Sequence, residues 1–343
     1  MRKRTAAAGL AIMLCLAGCG QKNVSVSAEK EVQTETVAFT VNGEDISSRE
    51  WNFYVRMNQM QWEKSYLESC GDEMWSREVN DEGMTLAQRL KDQVFESIVE
   101  THLLNQHAEE YEVTIPAEEE TSLRERSQSF MRAYHEALLE YAGADEAFVY
   151  EKLSEVRLSE LVAEAIVEEF DPQLTEEDYH REGICYVLIS TTGLRDAEGV
   201  LEPFSEEEVE RRTQIAQELC VKARESGDLK SAAEEYDLTP VESSMGRTNE
   251  GDGQEHRMLD AARMLDVGEI SDPIQTEEGW FLVQHTSDYD EDGVAYWKEY
   301  LASLAKNEEC TRLCKIWREE AEITVNQEIM DQVDVKIVLK ELL

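Results

Sequence analysis

Basic residues are scarce in this chain: 33 lysines and arginines stand against 75 aspartates and glutamates, a formal charge of −42 over 343 residues. Such a surface repels nucleic acid and anionic headgroups, which excludes a nucleic-acid partner. Histidine is scarcer still, at six, and no His-Glu-x-x-His motif is present; "YHEALLE" at 134–140 lacks the second histidine. The cysteines do not fall at metal-site spacing. No cofactor or metal is therefore expected. After the first residues no apolar run approaches the length needed to cross a bilayer, and no internal repeat is present. What is there is 41% hydrophobic, too much for global disorder despite the charge. The acid gathers on helix faces such as "PAEEETSLRERSQ", where it keeps the protein soluble.

The beginning of the chain gives an address. Arg2, Lys3 and Arg4 precede the apolar run Ala6–Ala17, which has the proportions of a secretory signal core. It ends in Leu16-Ala17-Gly18-Cys19, which resembles a bacterial lipoprotein signal. That resemblance implies residues 1–18 as a signal peptide and Cys19 as the lipidated first residue of a chain held at the cell membrane, outside the cytoplasm. Two acyl chains suffice for stable anchoring. Residues 19–37 are small and polar without period and read as a flexible tether. Of the later cysteines, Cys70, Cys185, Cys220, Cys310 and Cys314, the last two stand four apart on one helix face and read as small structural residues.

The order of elements follows from caps and periodicity. "VAFTVNGEDISSREWNFYV" predicts a strand, an Asn42-Gly43 turn and a helix capped by Ser47 or Ser48 with Glu50 in its first turn. Further helices are expected over Thr85–Tyr111, from Pro116 to Tyr141 with a stop at Gly143, and over Asp145–Phe170. From Ile184 the texture changes: a strand "ICYVLIS", a long helix Glu206–Ser226, a short helix "LKSAAEEYD", an irregular stretch, a helix "HRMLDAARML", and two strands within "VGEISDPIQTEEGWFLVQHT". This is a compact α+β domain. Past Asp292 comes a helix reaching about Glu322, with a strand-like tail.

The opening "VNG" plus "S-x-x-E", together with "YVLIS" and "LDAARMLDVGEISDPIQTEEGWFLVQ", resembles the PrsA/SurA-type extracytoplasmic foldases. The implied fold is α+β: a helical chaperone domain over residues 38–176, an inserted parvulin-like peptidyl-prolyl isomerase domain over 177–290, and a C-terminal helix and tail over 291–343 that return to the helical domain. The implied partners are unfolded or proline-containing secreted polypeptides, and the helical domain leaves room for a homodimer.

A parvulin needs no nucleophile. It holds the proline ring in an apolar pocket and favours a twisted amide over a planar one. Carried over residue by residue, the family's paired histidines fall on Tyr186 and Phe281. The pocket leucine falls on Met245, the pocket phenylalanine on Leu259, the pocket methionine on Glu255, and the Cys/Asp position near Thr239. Tyr186 keeps a hydroxyl; Phe281 keeps only shape. Both aromatics read either as core fillers or as a peptide-binding surface, and His285 as a surface residue at a strand end. Two functions are thus open: a folding factor with degenerate catalytic positions, or an active isomerase working by pocket and desolvation. A solute-binding lipoprotein is disfavoured, because it needs repeated β-α units where residues 47–170 read as helices.

Overall fold

A computed structural model describes residues 36–80, 83–195, 201–246, 254–336 and 338–339. The signal, Cys19 and most of the tether lie outside them. In chain order the elements are β1 (Val37–Val41), β2 (Glu44–Ser47), α1 (Ser48–Cys70), α2 (Leu86–Gln106), α3 (Ala117–Ala133), α4 (Glu136–Ala142), α5 (Glu146–Glu169), α6 (Glu176–Tyr179) and β3 (Glu182–Ser190). Then follow β4 (Gly193–Arg195), β5 (Leu201–Pro203), α7 (Glu206–Ser226), α8 (Leu229–Glu234), β6 (Val241–Met245), α9 (Gln254–Arg263), β7 (Ile274–Gln275) and β8 (Gly279–Ser287). The chain finishes with α10 (Glu291–Glu320), β9 (Ile323–Val325) and α11 (Gln327–Asp331). It divides into two compact units, 1–170 with 306–343, and 171–305 between them. The fold is α+β, with the second unit inserted into the first.

The first unit is helical, and local chemistry sets its helix ends. The Ser47 hydroxyl accepts from the Glu50 N–H. Thr85 and Gln88 close a reciprocal capping box, and Asp145 accepts from the Phe148 N–H. Asn42 and Gly43 both take positive φ, as a tight hairpin between β1 and β2 requires. The helix expected from Pro116 to Tyr141 is two. It breaks at Tyr134–His135, where the His135 ring accepts from the Ala137 N–H and starts α4. Gly143 ends α4 in the left-handed conformation. The tail belongs to this unit: β9 pairs antiparallel with β1, the Trp51 indole donates to the Met330 carbonyl at 3.2 Å, and Val333, Val335 and Leu339 are buried in the core.

The inserted unit is a four-stranded antiparallel sheet in the order β6-β3-β8-β7. Strand alternation splits its apolar residues in two. Val187, Ile189 and Leu282 pack with α7 and α8 on one face. Ile184, Phe281 and Val283 pack with α9 residues on the other. The stretch expected to be irregular contains β6, and the loop after β3 forms the small hairpin β4–β5. Gly279 is required where it stands, since a Cβ there would lie 2.2 Å from the Ile189 carbonyl oxygen. Residues 291–305 group with this unit rather than with the helical one: the Arg181 guanidinium sits 4.0 Å over the Trp297 ring, and the Lys298 ammonium lies 5.2 Å from the Tyr179 ring. The unit boundary therefore falls inside α10.

Candidate functional site

The sheet face under α9 gathers the residues singled out from the sequence. On β3, Tyr186 stands opposite Val283 of β8, and Leu188 opposite Phe281. Tyr186 and Phe281 are thus diagonal neighbours on one face, with ring centroids 6.1 Å apart and planes tilted by 49°. Met245 ends β6 opposite Glu182 and is 1% exposed. Leu259 comes down from α9, half-buried. All four side chains belong to one apolar cluster. The two buried members on α9 escaped the sequence reading. Met258 is buried at 3% exposure, and Ala262 follows it one turn later on α9; this i, i+4 spacing was the available signal.

The polar positions do not assemble there. Thr239 is exposed, in the link between α8 and β6, and is not part of the cluster. The side chain of Glu255 lies outside those described. His285 is a correction: two steps beyond Phe281 on β8, it is buried at 7% exposure rather than on the surface. Its Nδ1 lies 2.9 Å from the Leu265 carbonyl oxygen and its Nε2 3.0 Å from that of Ser287. Both ring nitrogens lie against backbone carbonyls and Nε2 also lies 3.6 Å from the Glu182 carboxylate, so this imidazole is tied to the strand end. What remains is a greasy surface of rings and thioethers with one hydroxyl, on Tyr186. These side chains are suited to desolvating a proline ring and carry no acid–base pair of their own; the Glu182 carboxylate, opposite Met245, lies 3.6 Å from both His180 and His285.

Ionisable groups are instead buried in the helical unit. Glu50, on α1, is 4% exposed and His102, on α2, 4%. His102 bridges two carboxylates, with Nδ1 2.9 Å from Glu44 and Nε2 3.0 Å from Glu50. Lys152 of α5 donates to Glu50 at 2.8 Å and to Glu155 at 2.7 Å. Burial works against the charge on His102, yet its bonds to Glu44 and Glu50 lift its pKa to about 10. Burial, then the charge on Glu50, raises Glu155 to about 7 against the pull of Lys152. Burial also opposes ionisation of Glu50, but the His102 bond and the Lys152 charge hold it below the ordinary carboxylate range. Oxygen and nitrogen atoms of Glu50, His102 and Glu155 lie within 4.8 Å of one another, close enough for a metal ion. The Lys152 ammonium already fills that role as a tethered cation, so the residues present do not call for one. The five described thiols are free; Cys310 and Cys314 pack with Leu104, Val162 and Ile166 as spacers. Among the described residues no helix is long and apolar enough to cross a membrane.

Residues 1–138 match the family model described as the SurA-like N-terminal domain. This bears out the resemblance drawn from the opening strand, turn and capped helix. Curated proteins give no match. Among solved structures, the chain is similar to the peptidylprolyl isomerase PrsA of Bacillus cereus (15% identity, 77% of this chain and 96% of that one, TM-score 0.30). It is similar also to the foldase PrsA of Lactococcus lactis (14%, 90% and 99%, 0.37). A third is a SurA-like chaperone structure from Campylobacter jejuni (10%, 84% and 98%, 0.29). At identities and TM-scores this low, none of the three adds to what the family match and the fold already give.

Proposed function

On the premise that the chain carries a SurA-like N-terminal domain, we propose that it is an extracytoplasmic folding factor, anchored through lipid on Cys19. It binds unfolded secreted polypeptides through the helical unit. The inserted unit holds proline-containing segments with little turnover. The observation that carries the second half is the make-up of the face under α9. Tyr186 and Phe281, where the family's imidazoles fall, sit in an apolar cluster with Met245 and Leu259. The nearest imidazole along β8, that of His285, is engaged by carbonyls on both nitrogens. An apolar wall can strip water from a prolyl amide and bind it. Selective stabilisation of the twisted form needs directed polar groups, and only then does the rate rise.

The test is a pair of assays on the chain from residue 21 onward. Suppression of aggregation of an unfolded protein is expected. In a protease-coupled proline-peptide assay the rate is expected to match the uncatalysed one. The alternative, an active isomerase using pocket and desolvation alone, predicts a clear rate that falls in Tyr186→Ala.

A further inference from the structure

In the helical unit, β9 forms an outer edge of the sheet β2-β1-β9. Asn326 donates its N–H to the Ala38 carbonyl at 2.8 Å, and Asn42 donates to the Glu322 carbonyl at 2.9 Å. The residues of β9 that bond to β1 are therefore 322, 324 and 326. By antiparallel alternation, Ile323 and Val325 turn their N–H and C=O groups away from β1, to a side where no strand pairs among the described residues. Such a row is a template for another strand.

The side chains beside that edge point the same way. Val325 pairs with Phe39 and so shares its face, which Phe95 of α2 covers with its ring 4.8 Å from that of Phe39. Phe39 is 1% exposed but Val325 is 42% exposed. Next to Val325 the same face opens into a cavity of about 620 Å³, with Trp51, Met84, Phe95 and Met330 in its walls. A strand added to β9 would lie roughly 4.8 Å beyond it and direct alternate side chains onto this face. Lys91, Asp92 and Asp331 complete the wall. Lys91 points its ammonium inward, 3.4 Å from the Met330 carbonyl oxygen. Asp92 and Asp331 are exposed, on a chain of charge −42.

We infer that the open edge of β9 and the adjoining cavity form a binding site for an extended polypeptide segment carrying an apolar side chain flanked by lysine or arginine. The segment adds as a fourth strand through the N–H and C=O groups of Ile323 and Val325, and its apolar side chain enters the cavity. Backbone pairing recognises any sequence, while the cavity and the two aspartates select for apolar and basic character. This deepens the proposed binding of unfolded clients and rests on it.

The experiment uses a short unstructured peptide with leucine at its centre and lysine on both sides, and a second with glutamate in place of lysine. Hydrogen exchange at the Ile323 and Val325 amides of the unaltered chain should slow when the lysine peptide is added. Val325→Pro removes one outward donor at an edge, where proline is tolerated, and should weaken binding by about tenfold. Asp92→Lys with Asp331→Lys should invert the preference between the two peptides. The inference is overturned if the lysine peptide binds without protecting those amides, or if a folded Val325→Pro chain binds it equally well. It also fails if the amides are protected without peptide as protein concentration rises, since a second copy would then be the occupant. Aggregation suppression that survives alongside any of these results leaves the folding-factor reading standing and removes only this site. A chain that suppresses no aggregation loses the broader reading first.

Discussion

The two units place their ionisable chemistry differently with respect to their apolar clusters. The helical unit buries Glu50, His102 and Lys152 in its interior, each in contact with opposite charge. The inserted unit, at the two positions where the resemblance puts imidazoles, presents apolar side chains and one phenolic hydroxyl; its buried His180 and His285 lie instead at the strand end, each 3.6 Å from Glu182. The charges in the first unit tie α1, α2 and α5 together. The cluster in the second unit has shape and no proton chemistry. The apolar cluster under α9 contains none of this buried charge.

The sharpest way to break this contrast is to strand one charge. Lys152→Met removes the ammonium that Glu50 and Glu155 share, leaving Glu50 with His102 alone, and should destabilise the helical unit by about 3 kcal/mol, the low end for a broken buried pair because His102 still compensates Glu50. Calorimetry should show its transition falling while that of the inserted unit stays. A smaller effect is expected from the reverse operation. Phe281→His puts an imidazole into the apolar cluster and should cost about 1–3 kcal/mol, since no partner waits for it. The double replacement Tyr186→His with Phe281→His should raise prolyl turnover above that of the unaltered chain if imidazoles at these two positions are all that the proposed isomerase face lacks.

Acidity acts on the helical unit through the same buried groups. His102 has its pKa raised in the folded state, so its contribution is full below about 6.5 and is lost as pH rises towards about 10. Glu155, raised to about 7, acts in the same direction: its contribution is full below its ordinary 4.5 and is lost as pH passes 7. Glu50 is lowered, so its contribution holds above 4.5 and is lost on further acidification. The melting temperature of the helical unit should thus decline from pH 6 to pH 10, and Glu155→Gln should flatten the part of that decline near neutrality. The smallest effect belongs to the exposed pair Arg318–Glu96, bonded twice at 2.8 and 2.9 Å. Arg318→Gln should change stability by less than about 1 kcal/mol.

Much of this architecture was legible because its signals are local. Ser47, Thr85, Asp145 and Ser205 each cap a helix, and α7 runs over Glu206–Ser226 as its periodicity predicts. β6 was hidden because Val241, Glu242 and Ser243 are not buried in alternation; only Met245 at its end is covered. The break before α4 was hidden because a histidine ring makes the cap there, with no glycine or proline to announce it. The placement of Tyr186, Met245, Leu259 and Phe281 on one face followed from strand period and resemblance together. The Glu50–Lys152 bond spans 102 positions between separate helices, and no local pattern encodes such a meeting. His285 looked peripheral for the same reason: Leu265, twenty residues earlier, supplies the carbonyl that holds it.

The most direct measurement is exchange spectroscopy by NMR on a proline peptide, recording cis–trans interconversion with and without the chain while following peptide binding in the same sample. This account predicts line shifts that report binding and an interconversion rate left at its unaided value, tens of seconds per event. Interconversion that quickens with added chain, and slows again in Tyr186→Ala, would contradict it.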